Sequence, residues 1–373
     1  MPWREVTPMS ERSEFVTFAG REELTMSALC RRFGVSRKTG YKWLQRVRAW
    51  GLDGLVDQSR RPHRSPARTR PEIEAVVCEL RSQHPAWGGR KLHHVLRREG
   101  RGRPPAPSTI TGILRRHGLL APERRTQRDW QRFEAPAPNA LWQMDFKGPV
   151  ATVEGRCHPL TILDDHSRFN LCLAACPNQR GETVQDQLTT VMHRYGLPDR
   201  MLMDNGSPWG SDAAHQHTWL TAWLIRLDIA VSHGEPYHPQ TQGKEERFHR
   251  TLGLEVLRPR RSWHSLADVQ YAFDAWRTVY NLRRPHEALG HATPASRYQH
   301  SARAFPATLP PIEYAPGDEV RRVQDKGRVS FRGREVRVSR AFIGQPVGLR
   351  PVGDGVWAVY YCHQKIGQVD FTC

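Results

Sequence analysis

The chain has 373 residues, and its 56 lysines and arginines outnumber its 38 aspartates and glutamates to give a formal net charge of +18. Such an excess favours a polyanionic partner, above all nucleic acid, over a basic surface that is merely solvated. The N-terminus lacks an apolar signal core and no run approaches the ~20 apolar residues of a membrane span, so we expect a cytoplasmic protein without membrane contact. Seven cysteines with no CxxC pair argue against a disulfide framework and against a zinc ribbon.

Net charge differs between parts of the chain. Residues 1–138 carry 28 basic and 14 acidic side chains, residues 139–300 carry 17 of each, and residues 301–373 carry 11 and 7. The basic excess therefore lies almost wholly outside the middle. This distribution predicts that the flanking parts bind phosphate and that the middle keeps its carboxylates for another use.

The first part, residues 1–58, contains the pattern of a helix-turn-helix. An apolar-periodic segment ends at Phe33, Gly34 supplies a tight turn, and Ser36 can cap a second helix. Side chains at the start of the second helix of such a unit contact base edges. The residues predicted to do so are Arg37, Lys38, Thr39 and Lys42. An ordinary helical hairpin with a solvated basic face is the alternative.

A basic linker and a second helical unit follow. Residues 59–70, SRRPHRSPARTR, hold five arginines and no acid, which predicts an arm that lies along DNA and includes Arg60 and Arg61. Residues 71–125 predict a second helix-turn-helix domain of three helices, the third capped by Ser108. The side chains of that third helix predicted to contact DNA are Thr109, Arg115 and Arg116.

Beyond a proline-rich linker at residues 126–138, the hydrophobic period changes from helical to strand-like. Three short strands, a helix, a strand, a helix, a strand and two further helices are predicted within residues 139–300. This order is typical of an α/β ribonuclease-H-like fold. Residues 310–373 alternate polar and apolar side chains with frequent glycines, which predicts a small all-β barrel. The whole chain is therefore predicted to be multidomain, with all-α units first, an α/β core next and an all-β domain last.

Two aspartates of the α/β region are candidates for chemistry. Strand alternation in LWQMDFKG places Asp145 on the face opposite Trp142 and Met144. Asp204 directly follows the apolar strand RMLM, at the strand edge where open α/β sheets place their sites. Taken alone, the sequence Asp-Asn-Gly is also an ordinary turn.

Four motifs in order, WQMDF, MDNGSPW, YHPQTQGKEERFHRTL and YNLRRPHEALGHATPASRY, resemble the catalytic domain of bacterial insertion-sequence transposases of the DDE group, which have a retroviral-integrase-type core. The helix-turn-helix front end resembles the same branch. The resemblance implies a catalytic, metal-binding triad of Asp145, Asp204 and the third residue after Gly243, which is Glu246. The zinc-binding module that precedes retroviral integrase cores is absent from this sequence.

The helical periodicity of KEERFHRTL gives separate support for Glu246 over its neighbour Glu245. Phe248, Leu252 and Val256 define the buried side of this helix, Glu246 lies roughly opposite, and Glu245 lies nearer the apolar edge. Glu245 is more simply interpreted as a first-turn carboxylate that favours the helix dipole. Asp164 and Asp165, which end a strand in LDDHSR, are interpreted as turn-capping residues outside the triad.

The resemblance also implies what the protein acts on. Three carboxylates can hold two Mg²⁺ ions, with Mn²⁺ able to substitute, and Lys244 and Arg250 would contact DNA phosphates beside them. The implied function is a DNA transposase that binds terminal inverted repeats and target DNA as a homo-oligomer in the bacterial nucleoid. Hydrolysis and strand transfer of phosphodiesters would both use the triad. A ribonuclease-H-like nuclease without joining activity and a non-catalytic, domesticated DNA-binding repressor are the alternatives.

Overall fold

The computed structural model describes residues 7–59, 68–100, 103–120, 134–210, 217–234, 243–260 and 262–371. The chain divides into two compact units, Met1–Arg68 and Thr69–Cys373. Arg60 and Arg61, predicted to contact DNA, lie outside the described residues. Within the described ranges, the helices are all too short or too polar to cross a membrane.

The first unit contains the predicted helix-turn-helix. Helices α1 (Pro8–Gly20), α2 (Met26–Arg32) and α3 (Arg37–Trp50) pack around Phe15 and Leu29. The turn before α3 uses Gly34 at φ +62°, and the Ser36 hydroxyl accepts a hydrogen bond from the Thr39 backbone N–H at 3.2 Å. Both the turn and the cap are confirmed.

The second helical group lies at the start of the second unit. It contains α4 (Pro71–Gln83), α5 (Gly89–Arg98) and α6 (Pro107–Arg116), packed around a buried Trp87. The predicted cap at Ser108 is wrong. The helix begins at Pro107 with Ala106 as its N-cap residue, so Ser108 already lies in the first turn. The fixed φ of Pro107 suits the first helical position without a side-chain cap.

The close contact of α5 and α6 depends on Gly89. A Cβ at this position would lie 2.4 Å from Pro107 O, a backbone atom that cannot move aside. We expect Gly89→Ala to lower the free energy of unfolding by about 1–3 kcal/mol through overpacking. Gly88→Ala is the matched control, because nothing lies within 4 Å of a Cβ there. Urea denaturation measures both variants, and equal midpoints would contradict this packing.

A mixed sheet forms the centre of the second unit. Its strands are β1 (Trp142–Phe146), β2 (Val150–Thr152), β3 (Gly155–Asp164), β4 (Asn170–Cys176), β5 (Arg200–Met203) and β6 (Ala230–His233). The strand order is β2-β3-β1-β5-β6, with β4 paired to β3. Neighbouring strands among β1 to β4 are antiparallel, whereas β5 pairs in parallel with β1 and with β6. The predicted α/β, ribonuclease-H-like order is present, with the short β2 as an addition to it.

Helices cover both faces of this sheet. On one face, α7 (Gly181–Tyr195) and α8 (Trp219–Arg226) enclose the core that contains Trp142. On the other face, α9 (Gly243–Leu252) and α10 (Leu266–Leu282) pack against Leu163 and Leu173. A π-helical turn, Gly253–Leu257, continues α9. Side chains at alternate positions of one strand therefore enter two different cores.

The C-terminal region is all-β, as predicted, but its described strands do not close into a barrel. The strands are β7 (Glu319–Arg322), β8 (Arg328–Phe331), β9 (Arg334–Arg337), β10 (Pro346–Gly353), β11 (Val356–Tyr361) and β12 (Gln364–Asp370). An open sheet of order β12-β11-β10-β7 is accompanied by the separate hairpin β8-β9. The four-stranded sheet and the hairpin pack on the catalytic part instead, because the apolar side chains of both join the core of the α/β sheet. The Gln364 amide also hydrogen-bonds the backbone N and O of Val231 on the edge strand β6, at 2.8 and 3.1 Å.

Candidate active site

Asp145 lies on the face of the sheet that α9 and α10 cover. Trp142 and Met144 are buried in the core on the other face, so the alternation of β1 directs Asp145 away from them. Backbone pairing places Asp145 opposite Thr161 of β3. The Asp145 side chain remains 25% exposed, so it is accessible from solvent.

Asp204 follows the C-terminal end of β5. In the parallel pairing of β1 with β5, Gln143 lies opposite Leu202, and the same register continued by two residues sets Asp204 beside Asp145. The Asp204 carboxylate accepts a hydrogen bond from the Gly206 N–H at 3.1 Å. A Cβ on residue 206 would lie 3.2 Å from the carboxylate, so glycine gives this side chain room.

Glu246 lies in the first turn of α9 and is exposed. No lysine or arginine among the described residues forms an ion pair with Asp145, Asp204 or Glu246. The described ranges contain no group of three His, Cys, Asp or Glu side chains close enough to hold a metal ion. The three carboxylates thus approach one another at one edge of the sheet without a formed coordination sphere, and their role as a triad stays a prediction.

The electrostatics of Asp145 reflect this approach. Burial, followed by the charge of Asp204, raises the pKa of Asp145 to about 6, and Glu246 also contributes to the increase. Like charges held together in this way favour a bound cation. A hydrogen bond from the Phe146 backbone N–H offsets part of the shift.

The raised pKa of Asp145 makes the free energy of unfolding depend on pH when metal is removed. Since the folded pKa of Asp145 lies above the unfolded value of 3.8, the contribution of Asp145 to the free energy of unfolding is present below pH 3.8. This contribution is lost as pH rises through about 6. We expect Asp145→Asn in EDTA to be more stable than the unchanged chain at pH 8, by about 1–3 kcal/mol, and the gain to shrink towards pH 4. Urea denaturation across this range measures the difference, and a gain independent of pH would contradict the assigned cause.

Glu245 behaves differently from Glu246. Its side chain is 1% exposed, and burial followed by the charge of Asp145 raises its pKa well above the usual range. Thr161 Oγ1 lies 2.9 Å from Glu245 Oε2, 2.9 Å from His249 Nε2 and 3.0 Å from the Asp145 backbone O. Because a hydroxyl has one proton, Thr161 can donate to Asp145 O only if the other two groups donate to it.

A protonated Glu245 and a neutral His249 meet that requirement. Burial lowers the pKa of His249 to about 4, so its ring is neutral near pH 7 and its Nε2 can carry the donated proton. Glu245 therefore lies as a buried acid behind Asp145, which confirms its expected place at the apolar edge. The expected role as a charged first-turn carboxylate that favours the helix dipole is wrong, because burial disfavours the charged form. Thr161 is not predicted from the sequence, although it is a hydroxyl residue within the apolar run LTIL and pairs with the strand of Asp145.

Lys244 and Asp165 form a contact that the sequence did not predict. The Lys244 ammonium contacts the carboxylate of Asp165, whose side chain is fully buried. This carboxylate also accepts hydrogen bonds from the Ala135 backbone N–H and from Gln143 Nε2, both at 2.7 Å. The structure thus engages Lys244 within the fold, and its contact with DNA phosphate stays a prediction.

Asp164 has the turn-capping role expected of it. Its carboxylate accepts hydrogen bonds from the backbone N–H groups of Ser167 and Asn139, both at 2.7 Å. The expected turn role does not describe Asp165, because its carboxylate contacts β1, α9 and the segment that precedes β1 more closely than the turn, from which only Arg168 Nη1 approaches, at 3.9 Å. Two adjacent aspartates with the same sequence signal therefore have different functions.

The predicted DNA contacts differ in accessibility. Arg37, Lys38 and Lys42 are exposed on α3, and the Lys42 ammonium lies 4.6 Å from the Trp43 ring centre. Thr39 is half-buried, and its hydroxyl shares a 2.9 Å hydrogen bond with Ser36. In the second helical group and on α9, the predicted DNA contacts that are exposed are Thr109, Arg115, Arg116 and Arg250. Arg116 also pairs with the buried Glu74 at 2.5 Å. Their contacts with DNA stay predictions.

Models of known protein families match successive parts of the chain. The IS481 family transposase C-terminal domain matches residues 318–373. The other matches are the helix-turn-helix domain at 14–63, the homeodomain-like domain at 39–114, and the integrase core domain at 135–239 and 227–294. The candidate carboxylates thus lie within the integrase-core matches.

Insertion-element proteins are similar over most of their length. The chain is 27% identical to the insertion element IS476 uncharacterized 39.2 kDa protein of Xanthomonas euvesicatoria, over 76% of this chain and 82% of that protein. It is 25% identical to the transposase for insertion sequence element IS629 of Shigella sonnei, over 74% and 92%. The HTLV-2 integrase catalytic core domain in complex with magnesium superimposes loosely, with a TM-score of 0.34 and 14% identity over 44% of this chain and 100% of that one. From the family models and the insertion-element relatives, the chain is an insertion-sequence DNA transposase of the DDE group, with helix-turn-helix domains and an integrase-type core.

Proposed function

We propose that this transposase binds the terminal inverted repeats of its own element and hydrolyses a phosphodiester there to free a 3′-OH. It then uses that hydroxyl to attack a phosphodiester of the target DNA. The observation that carries the proposal is the approach of Asp145, Asp204 and Glu246, from three separate parts of the fold, without a lysine or arginine paired to them among the described residues. In a chain with a net charge of +18, such a group is suited to bound cations.

The donor set fits hard divalent ions. Asp145, Asp204 and Glu246 would hold two Mg²⁺ ions, with Mn²⁺ able to substitute, because carboxylate oxygens are the ligands that such ions prefer. Two such ions would activate the attacking oxygen and stabilise the charge on the leaving oxygen. The protein contributes orientation, since Thr161 and the neutral pair Glu245 and His249 fix the strand that carries Asp145.

DNA recognition is proposed for the helical parts of the chain. The domain boundaries proposed are residues 1–58 and 71–125 for the two helix-turn-helix domains, 59–70 and 126–138 for the linkers, 139–300 for the catalytic core and 310–373 for the C-terminal domain. Cleavage of two element ends within one complex calls for more than one active site, so the proposed working form is a homo-oligomer on DNA in the nucleoid.

One assay separates this function from the two alternatives. Labelled duplexes taken from the DNA that flanks the reading frame are incubated with the full chain, a target plasmid and Mg²⁺. Labelled DNA joined to the plasmid supports the proposal. Cleavage without joining would support a nuclease, and binding without either reaction would support a repressor.

The first helix-turn-helix gives a separate prediction. We expect Arg37→Ala with Lys38→Ala to weaken binding of the terminal duplex and to lower the slope of log K against log salt by about 1–2, because each phosphate contact releases roughly 0.9 counterion. Fluorescence anisotropy at several salt concentrations measures the slope. An unchanged slope would remove the start of α3 from phosphate contact.

A further inference from the structure

The second helix-turn-helix group is attached to the catalytic core through α5. Arg283, just past α10, holds Glu99 Oε1 through Nε and Nη2 at 2.9 and 2.6 Å. Arg90 Nη1 contacts Glu287 Oε1 at 2.9 Å. Further along this junction, the rings of His94 and His291 stack with their centres 4.0 Å apart. These contacts place one face of α5 along residues 283–291.

Positive charge at this junction is not balanced by nearby carboxylates. Lys91, on α5, is partly buried and forms no ion pair or hydrogen bond with a described residue. The neighbouring Glu255 is already held by Arg284 Nε at 3.2 Å and by Trp276 Nε1 at 2.8 Å. Burial, followed by the charge of Arg284, lowers the pKa of Lys91 to about 8. The fold thus holds a cation where it is poorly solvated and unpaired.

His286 shares this environment. It is 9% exposed, and its Nε2 has no hydrogen-bond partner among the described residues. A buried polar atom without a partner is uncommon in a folded protein and calls for a missing ligand or water. Burial lowers the pKa of His286 well below its usual range, and Arg284 and Lys91 contribute to the decrease.

The same cluster extends to the helix that carries Glu246. The ring of Phe248 on α9 lies 4.9 Å from the ring of Tyr280, which lies 4.8 Å from the ring of His286. Arg247, between Glu246 and Phe248, is exposed and has no ion pair with a described residue. Lys91 and Arg247 therefore approach His286 from two elements, one in a DNA-recognition domain and the other in the catalytic core.

We propose that Lys91 and Arg247, with His286 behind them, bind a backbone phosphate of the element's terminal DNA between the repeat contacted by the second helix-turn-helix and the phosphodiester that is cut. The proposal rests on the function proposed above. A phosphodiester would supply the negative charge that the junction lacks, and a continuous strand would connect this site with the carboxylates near Glu246. A free phosphate has the same local chemistry but lacks that connection.

The test combines protein variants with neutralised DNA. Lys91→Gln and Arg247→Gln are compared with Lys91→Arg, which keeps the charge, and with Lys365→Gln, a control in the C-terminal region where the ammonium contacts Gln368. The probe is the terminal duplex that the unchanged full chain selects from the DNA flanking its reading frame. Methylphosphonate replaces one phosphate at a time, and thermal unfolding checks that each variant is folded.

We expect each Gln variant to bind about tenfold more weakly and to lower the salt slope by about 0.9, with Lys91→Arg and Lys365→Gln unchanged. On one methylphosphonate duplex, the loss of affinity caused by Lys91→Gln should disappear. On the other duplexes, 10 mM inorganic phosphate should not restore the affinity of the Lys91→Gln variant. Unchanged salt slopes, or equal competition by free phosphate, would overturn the proposal. It would also be overturned if the losses of affinity from Lys91→Gln and from methylphosphonate simply add at every phosphate position. Failure of the unchanged chain to bind any flanking duplex would overturn the proposed function as well.

Discussion

Glu246→Gln is expected to reduce both cleavage and joining by about 10³-fold or more while terminal DNA is still bound. The amide keeps the shape of the side chain but removes the negative charge, and loss of a metal ligand at phosphoryl transfer costs about 4 kcal/mol of transition-state stabilisation. Single-turnover cleavage of a labelled terminal duplex in Mg²⁺ measures the reaction, and anisotropy measures binding.

The neighbouring Glu245 is the matched comparison. Its carboxyl is buried and burial raises its pKa, which favours the protonated form, so an amide in Glu245→Gln can still donate to Thr161 Oγ1, and we expect less than about a tenfold loss of cleavage. If Glu245→Gln were the inactive variant and Glu246→Gln retained activity, the third ligand would be Glu245.

Lys244→Met is expected to destabilise the catalytic core by about 3 kcal/mol, because it removes the nearer of two cations from the fully buried carboxylate of Asp165 and leaves, among the described residues, only Arg168 Nη1, 3.9 Å away. The same contact fixes the first turn of α9, which includes Glu246 two residues later. Urea denaturation measures the loss of stability, and the metal concentration required for half-maximal cleavage is expected to increase with it.

A double-mutant cycle tests that cause. The double variant Asp165→Asn with Lys244→Met should lose less stability than the sum of the losses of the two single variants, since both partners of the ion pair are removed together. The control Asp199→Asn removes an exposed ion pair, Arg303 to Asp199 at 3.5 Å, and should cost less than about 1 kcal/mol. Additive single losses would show that Lys244 and Asp165 act independently.

The order of elements could be predicted because it depends on local pattern. The turn at Gly34 and the Ser36 cap were read from residues adjacent in sequence, and both are present. The Ser108 cap was wrong because Pro107 already begins the helix. Barrel closure was also wrong, since alternation along a strand indicates which faces are apolar but not whether the last strands meet.

Within the candidate site, alternation along β1 determined the face on which Asp145 lies, and helical periodicity set Glu245 apart from Glu246. These assignments need only the geometry of one strand or one helix. Thr161 was missed because its importance comes from pairing with Asp145 and from the approach of α9, both of which join residues distant in sequence.

The sequence by itself determined that this protein has basic helical parts before a neutral α/β core, because charge counts and short periodicities are local properties. The resemblance of its motifs to the transposase family singled out Asp145, Asp204 and Glu246 as a set. Only the tertiary structure decided which carboxylates are buried, paired or accessible. Burial raised the pKa of Glu245, a buried partner engaged Lys244, and the junction with α5 left Lys91 without an ion pair among the described residues. A charged side chain's state depends on solvent access and on neighbours from other elements, and the fold alone brings these together.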